Sequence, residues 1–239
     1  MSWVAIDTAT QRASVAAGPG PADAVEEDLA GARRHAGALL PMMRRVLERR
    51  GWTLADLAGI VVSDGPGSFT GLRVGAAVAK ALAHARGLEV WTAPSLMVRA
   101  AAHAEPGALV LACSDALRGE LFAAAYRFEP GRVDTVLAPS VWRPEALVAA
   151  APRPDRVVGD GPAGALERLA AWSGSPVITP PASLPRAAWL LDLRVREGGA
   201  RRVADLELWE PEYGRPAEAQ VRWELAHGRP LPHSGGRPR

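Results

Sequence analysis

Asp64-Gly65-Pro66-Gly67-Ser68-Phe69-Thr70-Gly71 follows the β-branched run Ile60-Val61-Val62. It leads into Leu72 to His84, an alanine-rich stretch whose only helix breaker is Gly75. The order is strand, tight loop, helix. Glycine is needed where the backbone takes positive φ or closely approaches another group, and a helix start presents unpaired N–H groups and the positive end of a dipole. Such a loop can hold an anion, or it can be a plain strand-to-helix turn with Ser68 or Thr70 as N-cap. Two common phosphate motifs are excluded. No Lys-Ser or Lys-Thr pair follows at Walker spacing, and the glycines at 65, 67 and 71 do not read G-x-G-x-x-G.

Upstream, Trp3-Val4-Ala5-Ile6 predicts a buried strand ending at Asp7-Thr8-Ala9-Thr10. Ser14-Val15-Ala16-Ala17 predicts a second strand and Ala24 to Leu29 a third, giving an antiparallel meander. Asp7 either holds a metal-bound water or caps the turn. From His35 to Arg50, closed by Gly51, Leu39, Leu40, Met43, Val46 and Leu47 form one apolar stripe of an amphipathic helix. Pro41 must lie in its first turn or kink it. His35 at the entry reads as a capping or packing residue. Thr53 and Asp56 form a capping-box pair around a short helical turn.

Downstream, Gly71, Gly75, Ala79 and Ala83 are spaced by four, a stripe over which another backbone could come close. Glu89-Val90-Trp91-Thr92 is a strand, so residues 59–92 predict a right-handed parallel crossover. Pro94 opens a helix through Ala101, and two apolar runs between Leu109 and Phe128 flank Ala116-Leu117-Arg118-Gly119 as a hairpin. The second half predicts a short helix from Trp142, a strand from Arg156 into Gly159-Asp160-Gly161, and a helix from Pro162 to Trp172. A strand at Pro176-Val177-Ile178 and a helix from Leu184 to Glu197 follow. Leu206 to Tyr213 should be ordered against the body. The expected organisation is a lobe at 1–104, a second at 105–221, and a disordered tail at 222–239.

At 239 residues the chain can bury roughly 70–75% of its unfolded surface. With 28 basic and 26 acidic residues, its surface is mixed rather than an electrostatic platform for nucleic acid. Lys80 is the only lysine, so the abundant arginine reflects composition more than function. A single cysteine, Cys113, excludes an intramolecular disulfide and a Cys-rich metal site. Asp7 interrupts any signal-type apolar stretch, and a cytoplasmic protein is expected.

Taken together, three stretches resemble the TsaB (YeaZ) family: Ala5-Ile6-Asp7-Thr8-Ala9-Thr10; His35 with Leu39-Leu40-Pro41; and Gly65-Pro66-Gly67-Ser68-Phe69-Thr70-Gly71-Leu72-Arg73-Val74-Gly75 with Ala79-Lys80-Ala81-Leu82-Ala83. So does Pro211-Glu212-Tyr213 before Arg215-Pro216-Ala217-Glu218. The resemblance implies an α/β protein of the actin-like ATPase (ASKHA, ribonuclease H-like) fold, with two βα lobes of mixed sheets flanked by helices. It further implies a non-catalytic partner of the paralogous TsaD transferase, joined by the ATPase TsaE, in forming N6-threonylcarbamoyladenosine in tRNAs that read codons beginning with adenine. A homodimer through the same faces is expected when the chain is alone, with contact to tRNA only indirect and with ATP or ADP at the complex interface. The family's catalytic paralogue carries a His-x-x-x-His metal pair where this chain reads Ala93-Pro94-Ser95-Leu96-Met97-Val98-Arg99. Ala9 stands where the actin-like ATPase fold usually has glycine, and this chain departs from the TsaB/YeaZ family at Leu117 in place of arginine, with Arg118 beside it, and at Gly214 in place of leucine.

On this reading, His35, Leu39, Leu40, Met43, Val46, Leu47, Leu72, Gly75, Ala79, Leu82 and Ala83 form the partner or dimer face, and no metal site is expected. Asp7, Thr10, Gly65, Gly67, Ser68, Gly71 and Asp160 form a vestigial nucleotide site. The alternative is an enzyme, either a metal-dependent glycoprotease-like peptidase or a small-molecule kinase of the same fold. It needs that second set to converge on nucleotide and metal. Direct tRNA binding has only the basic tail to support it.

Overall fold

A computed structural model describes residues 2–31 and 35–214. The expected tail at 222–239, and Arg215 to Glu218, lie outside the described residues. The chain opens with a meander, β1 (Ser2–Asp7), β2 (Arg12–Ala17) and β3 (Val25–Ala30), paired antiparallel in sequence order. α1 (His35–Arg50) and a short 3-10 turn (Leu54–Asp56) lead to β4 (Leu57–Ser63), parallel to β1 with Ala5 opposite Val61. The Thr53–Asp56 capping box is formed at that turn. α2 (Phe69–Arg86) crosses over to β5 (Glu89–Ala93), parallel to β4 with Val61 opposite Trp91.

α3 (Ser95–Ala101) carries the chain to a second sheet. There β6 (Leu109–Asp115), β7 (Leu121–Glu129) and β8 (Arg132–Trp142) make another antiparallel meander. α4 (Pro144–Ala150) leads to β9 (Arg156–Gly159), parallel to β6, and α5 (Ala163–Ser173) follows. The strand orders β3-β2-β1-β4-β5 and β8-β7-β6-β9 therefore repeat one plan: three antiparallel strands whose first gains a parallel neighbour after a helix. That duplicated ribonuclease H-like unit is the actin-like ATPase fold.

The strand at 132–142 was not expected. Its polar residues and Pro139 hide an edge strand exposed along much of one side. The helix expected over 184–197 contracts to α6 (Ala188–Leu193), and the strand at 176–178 reduces to a single bridge between Ile178 and Val158. Pro41 lies in the second turn of α1, not the first, with its ring on the exposed side. After α6, β10 (Arg201–Arg202) pairs antiparallel with β5, and residues 205–213 lie along α2. Arg201 and Arg202 thus add an edge strand to the first sheet after the second sheet is complete.

Successive residues of the central strands face opposite layers. Val4, Ile6, Ile60 and Val62 pack under α1 and α2, while Trp3, Ala5 and Val61 pack toward α3, α6 and the second sheet. With both faces covered, these strands read as continuous apolar runs. Leu111, Leu121, Leu147 and Leu169 belong to a third cluster under α4 and α5. Among the described residues, no helix is long and apolar enough to cross a membrane.

Candidate functional site

The glycine loop is filled by the chain itself. The Ser68 amide donates to the Ala9 carbonyl at 2.7 Å. A Cβ at Gly67 would overlap the Ala9 carbonyl oxygen, one at Gly71 the Thr8 carbonyl oxygen, and one at Gly75 would lie 2.5 Å from Thr8 Oγ1. The glycines at 67, 71 and 75 are therefore a groove on α2 that receives the turn between β1 and β2. Ser68, not Thr70, is the N-cap, its Oγ accepting the Gly71 amide at 3.2 Å. Gly65 takes φ +112° where the Glu212 carbonyl leaves no room for a side chain.

Asp7 caps the turn, its Oδ1 accepting the Ala9 amide at 3.2 Å, while Oδ2 has no hydrogen-bond partner among the described residues. It is completely buried. Burial pushes its carboxyl up to about 6; the nearby Ser63 hydroxyl, the Ala9 amide and the charges of Arg99 and Arg12 oppose the shift without cancelling it.

Between the lobes lies a cleft of about 1190 Å³. Thr10, Gly67, Ser68 and Asp160 all line it; Asp7, Gly65 and Gly71 do not. At its base is Arg99 of α3, 3% exposed, which donates from Nη1 to the Cys113 carbonyl at 2.7 Å and to Asp160 Oδ1. Arg99 was missed in the sequence because arginine is so common there. Its signal is a lone charge in Ser95-Leu96-Met97-Val98-Arg99-Ala100-Ala101, a helix buried along its whole length. Beside it, burial holds the Cys113 thiol protonated, its pKa pushed up to about 12.

The set expected for nucleotide does not fit one. Asp7 is sealed off from the cleft, the glycine loop is closed by Thr8 and Ala9, and the Asp160 carboxylate is engaged by Arg99. His84 and His103 do not pair; His103 Nε2 lies 3.0 Å from the Ala182 carbonyl. Among the described residues, no three His, Cys, Asp or Glu side chains come together as a metal-holding group.

The expected partner stripe is mostly core. Leu39, Met43, Val46, Leu47, Leu72, Gly75, Ala79 and Ala83 are all buried beneath α1 and α2, because these helices spend their apolar faces on their own sheet. Leu40 is 52% exposed and Leu82 is half-buried. His35 opens α1, and its side chain lies outside the described part. One edge of α2 is also covered. The Phe69 and Tyr213 rings touch in a tilted pair, centroids 4.7 Å apart and planes at 46°, Arg73 Nε donates to Tyr213 Oη at 3.3 Å, and Lys80 Nζ donates to the Glu207 carbonyl at 3.3 Å. Arg201 Nη2 anchors this strap by donating to Asp64 Oδ2 and Glu212 Oε1, each at 2.9 Å.

Among solved structures, YeaZ from Pseudomonas aeruginosa is 30% identical, with a TM-score of 0.72 over 89% of this chain and 99% of that one. This chain belongs to the TsaB/YeaZ family. A family model described as TsaD, tRNA N6-adenosine threonylcarbamoyltransferase, matches residues 29–188. The tRNA threonylcarbamoyladenosine biosynthesis protein TsaB of Escherichia coli is 38% identical over 130 residues, 53% of this chain and 55% of that protein. The protein of the same name in Bacillus subtilis is 30% identical over 105 residues, 44% of this chain and 46% of that protein. The chain thus spans about half the length of the curated relatives it matches. Its departures from the TsaB/YeaZ pattern have local settings. Gly214, at φ +73°, presses against Phe122 and Pro66, where a Cβ would stand 2.5 Å from the Phe122 ring. Leu117 and Arg118 form the β6–β7 turn at φ +64° and +55°, with Leu117 68% exposed on the rim of the cleft.

Proposed function

We propose that this chain is a non-catalytic partner and activator of a TsaD-type threonylcarbamoyl transferase, with a TsaE-type ATPase in the assembly. The product is N6-threonylcarbamoyladenosine in tRNAs that read codons beginning with adenine. One observation carries the non-catalytic part: the buried Arg99 guanidinium sits at the base of the interlobe cleft and engages Asp160. A fixed positive charge there opposes a divalent cation and ties up the Asp160 carboxylate that would otherwise face one. The partner face is the solvent side of α1 and α2, with Leu40, Ala77 and Ala81 exposed and Val74, Val78 and Leu82 half-buried. Its small side chains suit close packing of a second pair of helices.

Reconstitution tests this reading. The chain, a TsaD-type paralogue and a TsaE-type ATPase are combined with tRNA, ATP and threonylcarbamoyl donor, leaving out one protein at a time. Modification should require this chain, and this chain alone should produce none. Turnover by the chain alone, or full activity without it, overturns the reading. Ala77→Arg should abolish co-purification with the paralogue while leaving the thermal midpoint unchanged.

A further inference from the structure

The fold assembles a basic cluster that no stretch of sequence announces. Arg118 on the β6–β7 turn, Arg143 at the junction of β8 and α4, and Arg168 on α5 wall one pocket of about 660 Å³ in the second lobe. Gly119, Glu120, Pro144, Glu145, Pro162, Gly164 and Ala165 complete its walls. Arg168 and Glu145 pair at 3.4 Å, both at least half exposed. The Arg143 side chain has no hydrogen bond or ion pair among the described residues. Arg118 also lines the interlobe cleft, so the pocket opens beside its rim.

Guanidinium groups match phosphate oxygens in charge and in fork geometry. Among the described residues the walls are arginine, glutamate, proline, glycine and alanine, with no aromatic ring on which a base could stack. A site that takes phosphate and ignores the base suits a polynucleotide backbone better than a free nucleotide. We propose that this pocket receives a backbone phosphate of tRNA, fixing the position of the RNA without reading its sequence. The proposal rests on the tRNA reading above, and it makes the contact of this subunit with tRNA direct.

The test measures tRNA binding by the full chain in complex with its TsaD-type partner as salt is raised. Wild type is compared with Arg143→Glu, Arg168→Glu and the control Arg132→Glu, the same charge change at a residue paired with Asp134 outside the pocket. Each pocket variant should weaken binding about 3–10-fold near 0.1 M salt and lower the slope of log K against log salt by about one. The control should change neither, and thermal melts should show all variants folded. Pocket variants that behave like the control overturn the proposal. So does loss of ATP binding with tRNA binding intact, which would make the pocket a nucleotide site. Modification assays on the same samples keep the two readings apart. If modification needs this chain while pocket variants bind tRNA like the control, the pocket fails and the proposed function stands. If modification does not need the chain, the function fails, and the salt slopes still decide the pocket.

Discussion

The amide of Ser68 donates to the carbonyl of Ala9 at 2.7 Å, so the first free N–H of the glycine loop is spent on the chain's own β1–β2 turn. The groove of Gly67 and Gly71 that permits this contact has no room for a methyl group.

Gly71→Ala should therefore destabilise the protein by about 2–3 kcal/mol, because the new Cβ collides with main chain that cannot yield cheaply. Gly164→Ala, where nothing lies within 4 Å, should be neutral or stabilising by up to about 1 kcal/mol. Urea unfolding with a common slope for all variants checks both. Equal effects at the two positions would refute the groove.

Asp7 predicts an unusual pH dependence. Its folded pKa lies above the ordinary 3.8, at about 6, so the folded state holds this proton more tightly than the unfolded chain. The contribution of this carboxyl is most favourable below about 4 and is lost as pH rises to 6, by an upper bound of roughly 3 kcal/mol. Asp7→Asn should remove that slope and raise stability at pH 7.5 relative to wild type, with little change at pH 4. Denaturant titrations at pH 4, 5, 6 and 7.5 test this; a variant less stable at every pH would refute it.

Arg99 and Asp160 should be strongly coupled. Asp160→Asn leaves a buried guanidinium without its counter-charge and should cost about 1–3 kcal/mol, below the range for a fully buried pair because Asp160 is 40% exposed. Arg99→Met combined with Asp160→Asn should cost less than the sum of the single changes. A double-mutant cycle that closes with no coupling energy would show that the two groups act independently.

The strap is held mainly by Trp209, which is buried against α2, whereas its neighbour Leu208 is 80% exposed. Trp209→Ala should cost about 2–4 kcal/mol and speed proteolytic cleavage between Asp205 and Tyr213, while Leu208→Ala should do neither. Limited proteolysis followed by mass analysis reads the cleavage sites.

Local signals made much of this legible. The strand, glycine loop and helix, the opening meander, the Thr53–Asp56 box and the β6–β7 hairpin follow from β-branched runs, turn residues and caps, which act over a few positions. The stripe from Leu39 to Leu47 could not be assigned from periodicity, since an apolar helix face looks the same whether a sheet or a partner covers it. β8 escaped because an edge strand with one exposed side lacks a continuous apolar run. Of the cleft, Thr10, Gly67, Ser68 and Asp160 were legible. Arg99 was not, because the charge that matters is defined by burial and by a partner 61 residues away.

β10 also constrains how the protein is made. Its two residues complete the first sheet by pairing with β5, and Arg201 then reaches back to Asp64 beside the glycine loop. On the ribosome, β5 emerges roughly a hundred residues before that pairing can form, so the edge of the first sheet stays unguarded while the whole second lobe is synthesised. The first lobe acquires its final border only after the second lobe has been made, and a nascent chain stalled before Arg201 would expose that edge to a neighbouring polysome product.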